Sequence, residues 1–548
     1  MIRMLCLAVM VLTASTVRAN EPVTKPNVII ILVDDMGFSD LGCYGSEIPT
    51  PNIDALAKNG VRLTQFYNTG RCCPTRAALL TGLYSHQTGV GHMTTDDKLP
   101  GYEGRLNDSC VTIAEALKPA GYFTAMTGKW HVGQNHGVVP WERGFERNLT
   151  AAAGGFYFPD DKKSKLFLNG EAVTKDDPRI PKDWYSTDLW TSFGLKFIDE
   201  AIDEKKPFYL HLCHNAPHFP LQAPAEEIAK FRGKYKRGWD TLREERLKKQ
   251  RELGLIADEW SPSIRPEIIE AWESLTEEEK ERFDHIMAVY AAVVSHIDRS
   301  IGDLVAGLKE RGVLDNTLIL LMSDNGGNAE AGPNGRTDGE PSAADSNWFC
   351  GESWAYLQNT PFRKYKHFNH EGGISSPLIA HWPAQIKAEA GSSEGQLVTT
   401  PAHLIDILPT CLEVGGAVYP EKREGHDVLP PEGLSLISLL KNPDQQPIAF
   451  TTRTLYWEHE GNAALRQGNL KLVRAGRQNA WELFDVSKDR TEQHNLASEQ
   501  PEKVKELTEQ WREWAQRVHA LPFPKKAPKG NKQNNKGKPA AQTNALSR

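Results

Sequence analysis

The chain has 548 residues, which exceeds the size of one small domain and allows a large buried core. Its composition, with 25% charged and 39% hydrophobic residues, is typical of a globular protein. The formal net charge of −7 excludes the strongly basic balance of proteins that bind nucleic acids electrostatically, so we expect no nucleic-acid partner.

The N-terminus has the pattern of a secretory signal peptide. Arg3 precedes an apolar run over residues 5–12, and the small residue Ala19 ends the segment. This pattern predicts that residues 1–19 are a signal peptide, cleaved after Ala19, and that the protein is exported, either periplasmic or secreted. The apolar run is too short to cross a bilayer and no later apolar segment is long enough, so we expect no membrane span.

Hydrophobic periodicity then predicts alternating strands and helices. The continuous, β-branched run Asn27–Val33 is typical of a strand that is buried on both faces. The same patterns predict strands at Phe208–Cys213 and Thr317–Ser323, a strand and loop at residues 122–131, and helices at residues 50–61, 112–120 and 284–310. The alternation favours an α/β fold with a mainly parallel sheet that is covered by helices on both faces.

Three segments depart from this alternation. Residues 224–283 are highly charged and have a helical pattern, and we interpret them as a solvated helical insertion in a catalytic unit of residues 20–445. Short strands separated by Gly and Asn turns, followed by a helix, predict a small antiparallel C-terminal sheet with one helix over residues 446–522. Residues 523–548 contain no acidic residue and predict a disordered basic tail.

Polar side chains are concentrated where two of the predicted strands end. Asp34 and Asp35 follow the first strand, and Asp324 and Asn325 follow the last strand of the α/β pattern. Sites in doubly wound sheets form outside the carboxyl ends of strands, so these groups would converge if the two strands are neighbours. Like charges would then oppose each other's ionisation unless a cation lay between them. The hard oxygen donors favour Ca²⁺, with Mg²⁺ as the alternative, although each pair alone can equally cap a helix or a turn.

A stretch that reads RCCPTRAALLTG combines two adjacent cysteines with a predicted helix. Pro74 fits the first helical position and Gly82 fits the end, so the helix should begin directly after the cysteines. Its N-terminus would offer free N–H groups to an oxyanion. Arg76 in the first turn opposes the helix dipole, so we expect an anionic partner nearby. A disulfide between the adjacent Cys72 and Cys73 would be strained, so we do not expect one. Thiol chemistry alone gives no reason to assign a function to one of the two cysteines rather than the other.

This stretch resembles the sulfatase signature, Cys-x-Pro-Ser/Thr-Arg followed after three residues by Leu-Thr-Gly, and matches it at every position. The resemblance covers residues 25–518, is closest to bacterial arylsulfatases, and implies the alkaline-phosphatase-like α/β fold. It also implies that a formylglycine-generating enzyme oxidises Cys72 to formylglycine (3-oxoalanine), whereas Cys73 fills the variable position. One hydroxyl of the hydrated formylglycine would attack sulfur, and loss of the proton from the other would expel sulfate.

Other motifs of the same family are present along the chain. The segment GKWH supplies Lys129 and His131, APHFPLQAP supplies His218, and PFRKYKHFNHEGG supplies Lys366. The resemblance also implies a set of ligands for one divalent metal ion, usually Ca²⁺. These implied ligands are Asp34, Asp35, Cys72, Asp324 and Asn325.

Roles for the remaining site residues follow from the chemistry that the resemblance implies. Arg76, with the metal, would hold the formylglycine and the sulfate oxygens, while Lys129 and Lys366 would neutralise further negative charge. His218 is our candidate acid for the leaving oxygen, and His131 is our candidate base for the second hydroxyl. These two assignments can be exchanged, or Lys366 can share the role of the acid.

We therefore expect a sulfuric-ester hydrolase that converts sulfate monoesters into an alcohol or phenol and inorganic sulfate. An aryl sulfate or a sulfated glycan would be the substrate. Two alternatives stay open here: hydrolysis of phosphate or phosphonate esters in the same site, and non-catalytic binding of sulfated glycans. The second requires an unmodified Cys72 and an empty metal site. His367, His370 and Glu371, which lie close to Lys366 in sequence, are further candidates for substrate choice.

Overall fold

The computed structural model describes residues 25–387 and 395–524. The predicted signal peptide, residues 1–19, lies outside the described residues, as do residues 525–548 of the predicted tail. In chain order, the α-helices are α1 (Pro51–Lys58), α2 (Cys72–Thr81), α3 (Ile113–Leu117), α4 (Ser186–Asp203), α5 (Ala225–Ala229), α6 (Gly238–Glu252), α7 (Glu277–Glu310), α8 (Gly351–Gln358), α9 (Glu371–Ile374), α10 (Ile407–Gly415), α11 (Ile437–Lys441), α12 (Ile448–Thr452) and α13 (Pro501–Arg517). Across the described ranges, no helix is both long and apolar enough to cross a membrane.

The strands divide into a large sheet, two short hairpins and a C-terminal sheet. In chain order, they are β1 (Asn27–Val33), β2 (Val61–Tyr67), β3 (Phe123–Lys129), β4 (Arg147–Ala151), β5 (Leu166–Leu168), β6 (Glu171–Val173), β7 (Phe208–Cys213), β8 (Thr317–Ser323), β9 (Arg336–Asp338), β10 (Asn347–Phe349), β11 (Ser375–His381), β12 (Gln396–Val398), β13 (Ala402–His403), β14 (Lys422–Arg423), β15 (His426–Asp427), β16 (Thr454–His459), β17 (Asn462–Gln467), β18 (Leu470–Arg474) and β19 (Glu482–Asp485). The sequence therefore predicted β1, β7 and β8 with their correct limits.

The most apolar strands pair at the centre of the large sheet. β1 is parallel to β7 on one side and to β8 on the other. In the described part of the chain, the sheet has the order β12-β2-β11-β8-β1-β7-β3-β4-β5-β6, and β13 pairs with β2. β11 and β5 are each antiparallel to both of their neighbours. The sheet is thus mixed and mostly parallel, as predicted.

Helices cover both faces of this sheet, because successive side chains of a strand point to opposite faces. Ile29 and Ile31 of β1 belong to a core that includes residues of α1, α4 and α7. Val28 and Ile30 belong to the core on the other face, which includes residues of α2, α3 and α10. The predicted α/β architecture with two covered faces is confirmed.

The long helix α7 begins earlier than the sequence predicted. Thr276 caps its N-terminus: its hydroxyl oxygen accepts from the N–H of Glu279, and the Glu279 carboxylate accepts from the N–H of Thr276. Residues 277–283 are therefore the first turns of α7, and the predicted insertion ends before Glu277 and not at residue 283. The apolar periodicity begins only at Phe283, because the preceding turns are polar and mostly exposed.

The charged insertion is also less solvated than its composition indicated. Trp239 and Arg246 of α6 are each 1% exposed. The Arg246 guanidinium donates to Asp40 and to Glu47 at 2.8 Å from each carboxylate. One face of α6 thus carries a buried arginine, Arg246, that is paired with two carboxylates from the segment after β1, and a prediction from mean polarity misses this.

The C-terminal strands form the predicted antiparallel sheet, in the order β16-β17-β18-β19, with α13 packed against it. Lys471 of β18 is fully buried and connects this sheet to α9. Its Nζ lies 2.8 Å from a carboxylate oxygen of Glu371 and 2.8 Å from one of Glu492. Arg490 Nε lies 2.6 Å from the other oxygen of Glu371. Buried charges of both signs therefore hold the C-terminal sheet against the segment that follows Lys366 in the chain.

We predict that Lys471→Met lowers the free energy of unfolding by roughly 3–5 kcal/mol, because it leaves Glu371 and Glu492 buried without a cation that they share. Urea denaturation followed by tryptophan fluorescence measures the effect. Lys422→Met is the matched control, since Lys422 pairs with Asp427 on an exposed hairpin and should contribute at most about 1 kcal/mol. Equal effects of the two substitutions would contradict a structural role for the buried charges.

Candidate active site

Helix α2 begins at Cys72, two residues earlier than predicted. The N–H of Thr75 donates to the carbonyl of Arg71 at 3.0 Å, so Arg71 is the N-cap residue. Pro74 occupies the third helical position, where its missing N–H costs nothing, because the first four N–H groups of a helix have no intrahelical partner. Gly82 ends the helix in the left-handed conformation, as predicted. Cys72 therefore stands on the first turn of α2.

The parallel pairing of β1 with β8 brings the predicted strand-end groups together. Val33 lies opposite Ser323 in the register, so the two acidic segments follow at the same edge of the sheet. The N–H of Asp35 donates to Asp324 Oδ1 at 3.2 Å, and Asn325 Nδ2 donates to Asp35 Oδ1 at 2.7 Å. These side chains are almost completely buried.

Cationic side chains from three other segments surround these carboxylates. Lys129 Nζ lies 2.5 Å from Asp34 Oδ2, and Lys366 Nζ lies 2.7 Å from Asp35 Oδ1. Arg76 Nη2 lies 2.9 Å from Asp324 Oδ2, so the anionic partner expected for Arg76 is present. The buried site thus combines carboxylates and cations in nearly direct contact.

The electrostatics of the carboxylates differ between the two strand ends. Burial opposes ionisation of Asp34, but Lys129, His218 and Arg76 together outweigh it and hold the pKa of Asp34 below its usual range. Burial, reinforced by the negative charge of Asp34, raises the pKa of Asp324 well above its usual value. An additional cation between these oxygens would relieve this repulsion.

The polar atoms that these cations leave unsatisfied fit a hard divalent metal ion. Asp34 Oδ1 and Asn325 Oδ1 are buried and accept no hydrogen bond from the residues that the structure describes. Both are oxygen donors of the kind that Ca²⁺ and Mg²⁺ prefer. Donor atoms of Asp34, Asp35 and His218 also lie within 4.8 Å of one another.

The two adjacent cysteines have different surroundings. Cys72 Sγ lies 3.5 Å from Nδ1 of His131. A hydrogen bond from the Cys73 thiol, aided by the charge of Lys129, lowers the pKa of Cys72 well below its usual value despite burial. Burial raises the pKa of Cys73 well above its usual value. The structure thus distinguishes Cys72 from Cys73 by the opposite shifts of their thiol pKa values, which thiol chemistry in the sequence did not indicate.

Both predicted acid–base histidines border this site. Burial and the charge of Lys129 lower the pKa of His131 to about 4, so its imidazole is neutral at neutral pH. His218 Nε2 lies 3.7 Å from Asp35 Oδ2, and its Nδ1 hydrogen-bonds the carbonyl of Phe219 at 2.6 Å. Burial also lowers the pKa of His218. The structure therefore brings every predicted catalytic and metal-ligating residue into one place, while the individual roles stay predictions.

Sequence reasoning missed Asn328 and misplaced two other residues. Asn328 Nδ2 donates to Asp35 Oδ2 at 2.7 Å, and its position three residues after Asn325 was an available signal. His370 Nε2 lies 2.9 Å from Glu482, and Glu371 pairs with Lys471, so both side chains are buried against the C-terminal sheet. We had considered these two residues for substrate choice, and their burial among protein side chains excludes that role. His367, in contrast, is partly exposed.

Comparison with known proteins agrees with this geometry. The family model described as Sulfatase matches residues 26–417. The chain belongs to the sulfatase family. A second model, described as N-sulphoglucosamine sulphohydrolase, C-terminal, matches residues 362–519 of this sulfatase.

Two relatives and one solved structure illustrate the similarity. An uncharacterised sulfatase of Schizosaccharomyces pombe is 38% identical, over 89% of this chain and 93% of the relative. An arylsulfatase of Klebsiella aerogenes is 33% identical, over 76% of this chain and 92% of the relative. The crystal structure of Ps i-CgsB in complex with k-i-k-neocarrahexaose is 26% identical, has a TM-score of 0.65, and covers 91% of this chain and 98% of its own.

This membership establishes the type of reaction. The chain is an enzyme, a sulfuric-ester hydrolase, with the fold of the sulfatases to which it is similar. Sulfatases generally use a formylglycine residue and a divalent metal ion, and the donor set described above suits the metal.

We predict that Asn328→Ala raises the metal concentration for half-maximal sulfatase activity by about 10–100-fold, because Asn328 orients a carboxylate beside the metal-binding oxygens. Titration of chelator-treated enzyme with Ca²⁺ measures this change. Asn135→Ala is the control, since the Asn135 side chain is exposed and donates only to nearby loop groups. Identical metal titrations of wild type and Asn328→Ala would show that Asn328 has no positioning role.

Proposed function

We propose that this sulfatase removes sulfate from sulfated carbohydrates, with formylglycine at position 72 and one Ca²⁺ ion. The observation that carries the proposal is the position of Cys72 on the first turn of α2, within 3.5 Å of His131 and beside the carboxylate cluster. The likeness to Ps i-CgsB, which was solved with a neocarrahexaose, supports a carbohydrate substrate. Sulfate release from a panel of sulfated oligosaccharides and aryl sulfates tests this choice, and a preference for aryl sulfates would contradict it.

Formylglycine at position 72 suits the reaction and its surroundings. A hydrated formylglycine supplies two hydroxyls on one carbon, one to displace the alcohol from sulfur and one whose deprotonation releases sulfate. Arg76 and the buried N-terminus of α2 favour negative charge at this position. We infer that a formylglycine-generating enzyme modifies the chain during maturation, since Cys72 matches the modified position of the family signature.

Ca²⁺ is the metal that the donor set favours. Asp34, Asp35, Asp324 and Asn325, together with the modified residue 72, would hold it. When bound, the ion would supply positive charge to polarise the sulfate ester. The all-oxygen character of the side-chain donors favours Ca²⁺ over Zn²⁺, and Mg²⁺ is the alternative ion.

The surrounding side chains have distinct tasks in the proposed mechanism. Lys129 and Lys366 are fully buried cations that offset the charge of the carboxylates and of the sulfate oxygens. His218 donates a proton to the leaving oxygen, and the charges of Asp35 and Asp34 favour its protonated form against the effect of burial. His131, which is neutral and adjacent to position 72, accepts the proton whose loss releases sulfate.

We also propose that the protein is exported to the periplasm or secreted. The signal-like sequence of residues 1–19 supports this proposal. The seven cysteines in the described residues are all free and buried, so the fold itself does not require an oxidising compartment. The intact mass of the exported protein, expected to begin at Asn20, tests the cleavage.

Peptide mass spectrometry across position 72 is the direct test of the modified residue. We expect an aldehyde at position 72 in protein made with the maturating enzyme. Cys72→Ala should then abolish turnover, whereas Cys73→Ala should have a much smaller effect because Cys73 is a buried thiol of the core. Full activity with an unmodified Cys72, or equal losses in the two variants, would refute the formylglycine mechanism.

Leaving-group dependence tests the acid–base assignment. Loss of a general acid should cost about 10²–10⁴-fold in kcat/KM on an alkyl sulfate, but much less on 4-nitrophenyl sulfate, whose leaving group needs no proton. We expect this pattern for His218→Ala. His131→Ala should lower kcat to a similar extent on both substrates. The reverse pattern would exchange the two roles, and equal losses in both variants on both substrates would reject the assignment.

A further inference from the structure

A second group of metal-ligand side chains lies beside the active site. His459 ends β16, and Glu460 begins the turn to β17, with both Glu460 and Gly461 at positive φ. His367 approaches them from the segment that follows Lys366. His367, His459 and Glu460 each place one potential ligand atom within 4.8 Å of the ligand atoms of the other two. We call these three residues the rim triad.

The burial of His459 points to a missing ligand. Its side chain is fully buried, yet neither ring nitrogen has a hydrogen-bond partner among residues 25–387 and 395–524. Buried polar groups normally have partners, and leaving one unsatisfied costs free energy. His459 Nε2 lies 3.9 Å from Glu460 Oε1, a separation that leaves room for an ion between the two atoms.

His367 is oriented for metal binding by a second carboxylate. Its Nδ1 lies 3.7 Å from Glu460 Oε2, while its Nε2 lies 2.9 Å from Glu330 Oε1. Arg71 contacts both Glu330 and the Nε2 edge of His367. Arg71 Nη1 also lies 3.3 Å from Nδ1, so an ion at Nδ1 requires the guanidinium to stay on Glu330. In the tautomer that donates Nε2–H to Glu330, Nδ1 is the nitrogen left for an ion, and Glu330 is the carboxylate that orients the ring.

The donor types distinguish this site from the oxygen site. Two imidazole nitrogens and one carboxylate form a ligand set used by zinc enzymes, and imidazole favours transition metals over Ca²⁺ and Mg²⁺. The side chains of His367 and Glu460 are 30% and 26% exposed, so an ion can enter from solvent. The exposed side also leaves a fourth coordination position for water.

A neighbouring cluster provides an internal comparison. His86, His92 and Glu458 also gather three donors within 4.8 Å, and all three residues are buried. His86 Nε2 lies 2.7 Å from Glu458, and His92 Nε2 accepts from the N–H of Glu460 at 3.1 Å. His92 Nδ1 has no partner among the described residues, but the other ring nitrogen of His92 does, so this cluster lacks an imidazole with both nitrogens unpartnered, as in His459.

We propose that the rim triad binds one divalent transition-metal ion, Zn²⁺, in addition to the metal of the oxygen site. The site adjoins the catalytic pocket: Glu330 lies 3.8 Å from Lys366 Nζ, and the N–H of His367 donates to the carbonyl of Gly70, two residues before Cys72. The proposal does not depend on the sulfatase mechanism, but an unmodified Cys72 would offer Zn²⁺ a competing group with Cys73 and His131, so the titration uses protein with formylglycine at position 72.

Calorimetric titration of the full chain with Zn²⁺, in a large excess of Ca²⁺ that keeps the oxygen site filled, tests the proposal. We expect one Zn²⁺ per chain in the wild type. His459→Ala and Glu460→Gln should each weaken this binding by at least about 100-fold. Glu330→Gln should weaken it by roughly 10–100-fold, as expected for a partner that orients a ligand.

Glu424→Gln is the matched control. Glu424 and Gly425 form a hairpin turn with the same residue types and the same positive φ angles as Glu460 and Gly461. Its zinc titration should match the wild type. Glu460 is partly exposed, so Glu460→Gln tests the site even if His459→Ala fails to fold, which circular dichroism would reveal. No Zn²⁺ uptake by the Ca²⁺-saturated wild type, or uptake unchanged in Glu460→Gln, would overturn the proposal.

Discussion

The parallel pairing of β1 and β8 is the constraint on which the active site depends. Because Val33 lies opposite Ser323, the chain must place Asp34, Asp35 and Asp324 at one buried point. Carboxylates this close would repel one another strongly in a medium of low polarity. The fold meets this cost with cations drawn from distant parts of the sequence, and the unsatisfied oxygens that are left are suited to a metal ion.

The same constraint explains why the cations of the candidate site come from so many segments. Arg76 reaches Asp324 from the first turns of α2, while Lys129 reaches Asp34 from the end of β3. Lys366 reaches Asp35 from the segment before α9. Arg76 and Lys129 lie on elements next to the carboxyl ends of the central strands, whereas Lys366 lies in the loop between α8 and α9. Arg76 thus ties the first turns of α2 to the end of β8.

The sequence predicts the strands well and some helix limits poorly, for identifiable reasons. β1, β7 and β8 are continuous apolar runs, whose limits are visible because polar residues follow at once. The starts of α2 and α7 were misjudged because Pro74 is tolerated after the first position and because the first turns of α7 are polar. The buried ion pairs of α6 could not be foreseen, since composition does not show which charges find partners.

Motif matching located the candidate site, but the contacts around it needed the fold. Every predicted catalytic and metal-ligating residue lies at the candidate site, because most of the signature segments follow a strand or begin a helix at the same edge of the sheet. Asn328 and Glu330 lie outside those segments and are placed by a loop whose course no pattern indicates. His370 and Glu371 were close to Lys366 in sequence, yet α9 turns them away toward the C-terminal sheet. Proximity in sequence was a poor guide there.

The buried contacts of Glu371 have a consequence for the order in which the enzyme can be completed. This carboxylate is paired with Lys471 and Arg490, which follow it by 100 and 119 residues. Until both cations have been synthesised, Glu371 cannot be buried without a large electrostatic penalty. We therefore expect the segment around Glu371 to take its final position only when the C-terminal strands have joined the α/β core. The C-terminal sheet would thus be one of the last parts to pack beside the candidate active site. A chain shortened before β18 would lack both Lys471 and Arg490, the cations that pair with Glu371.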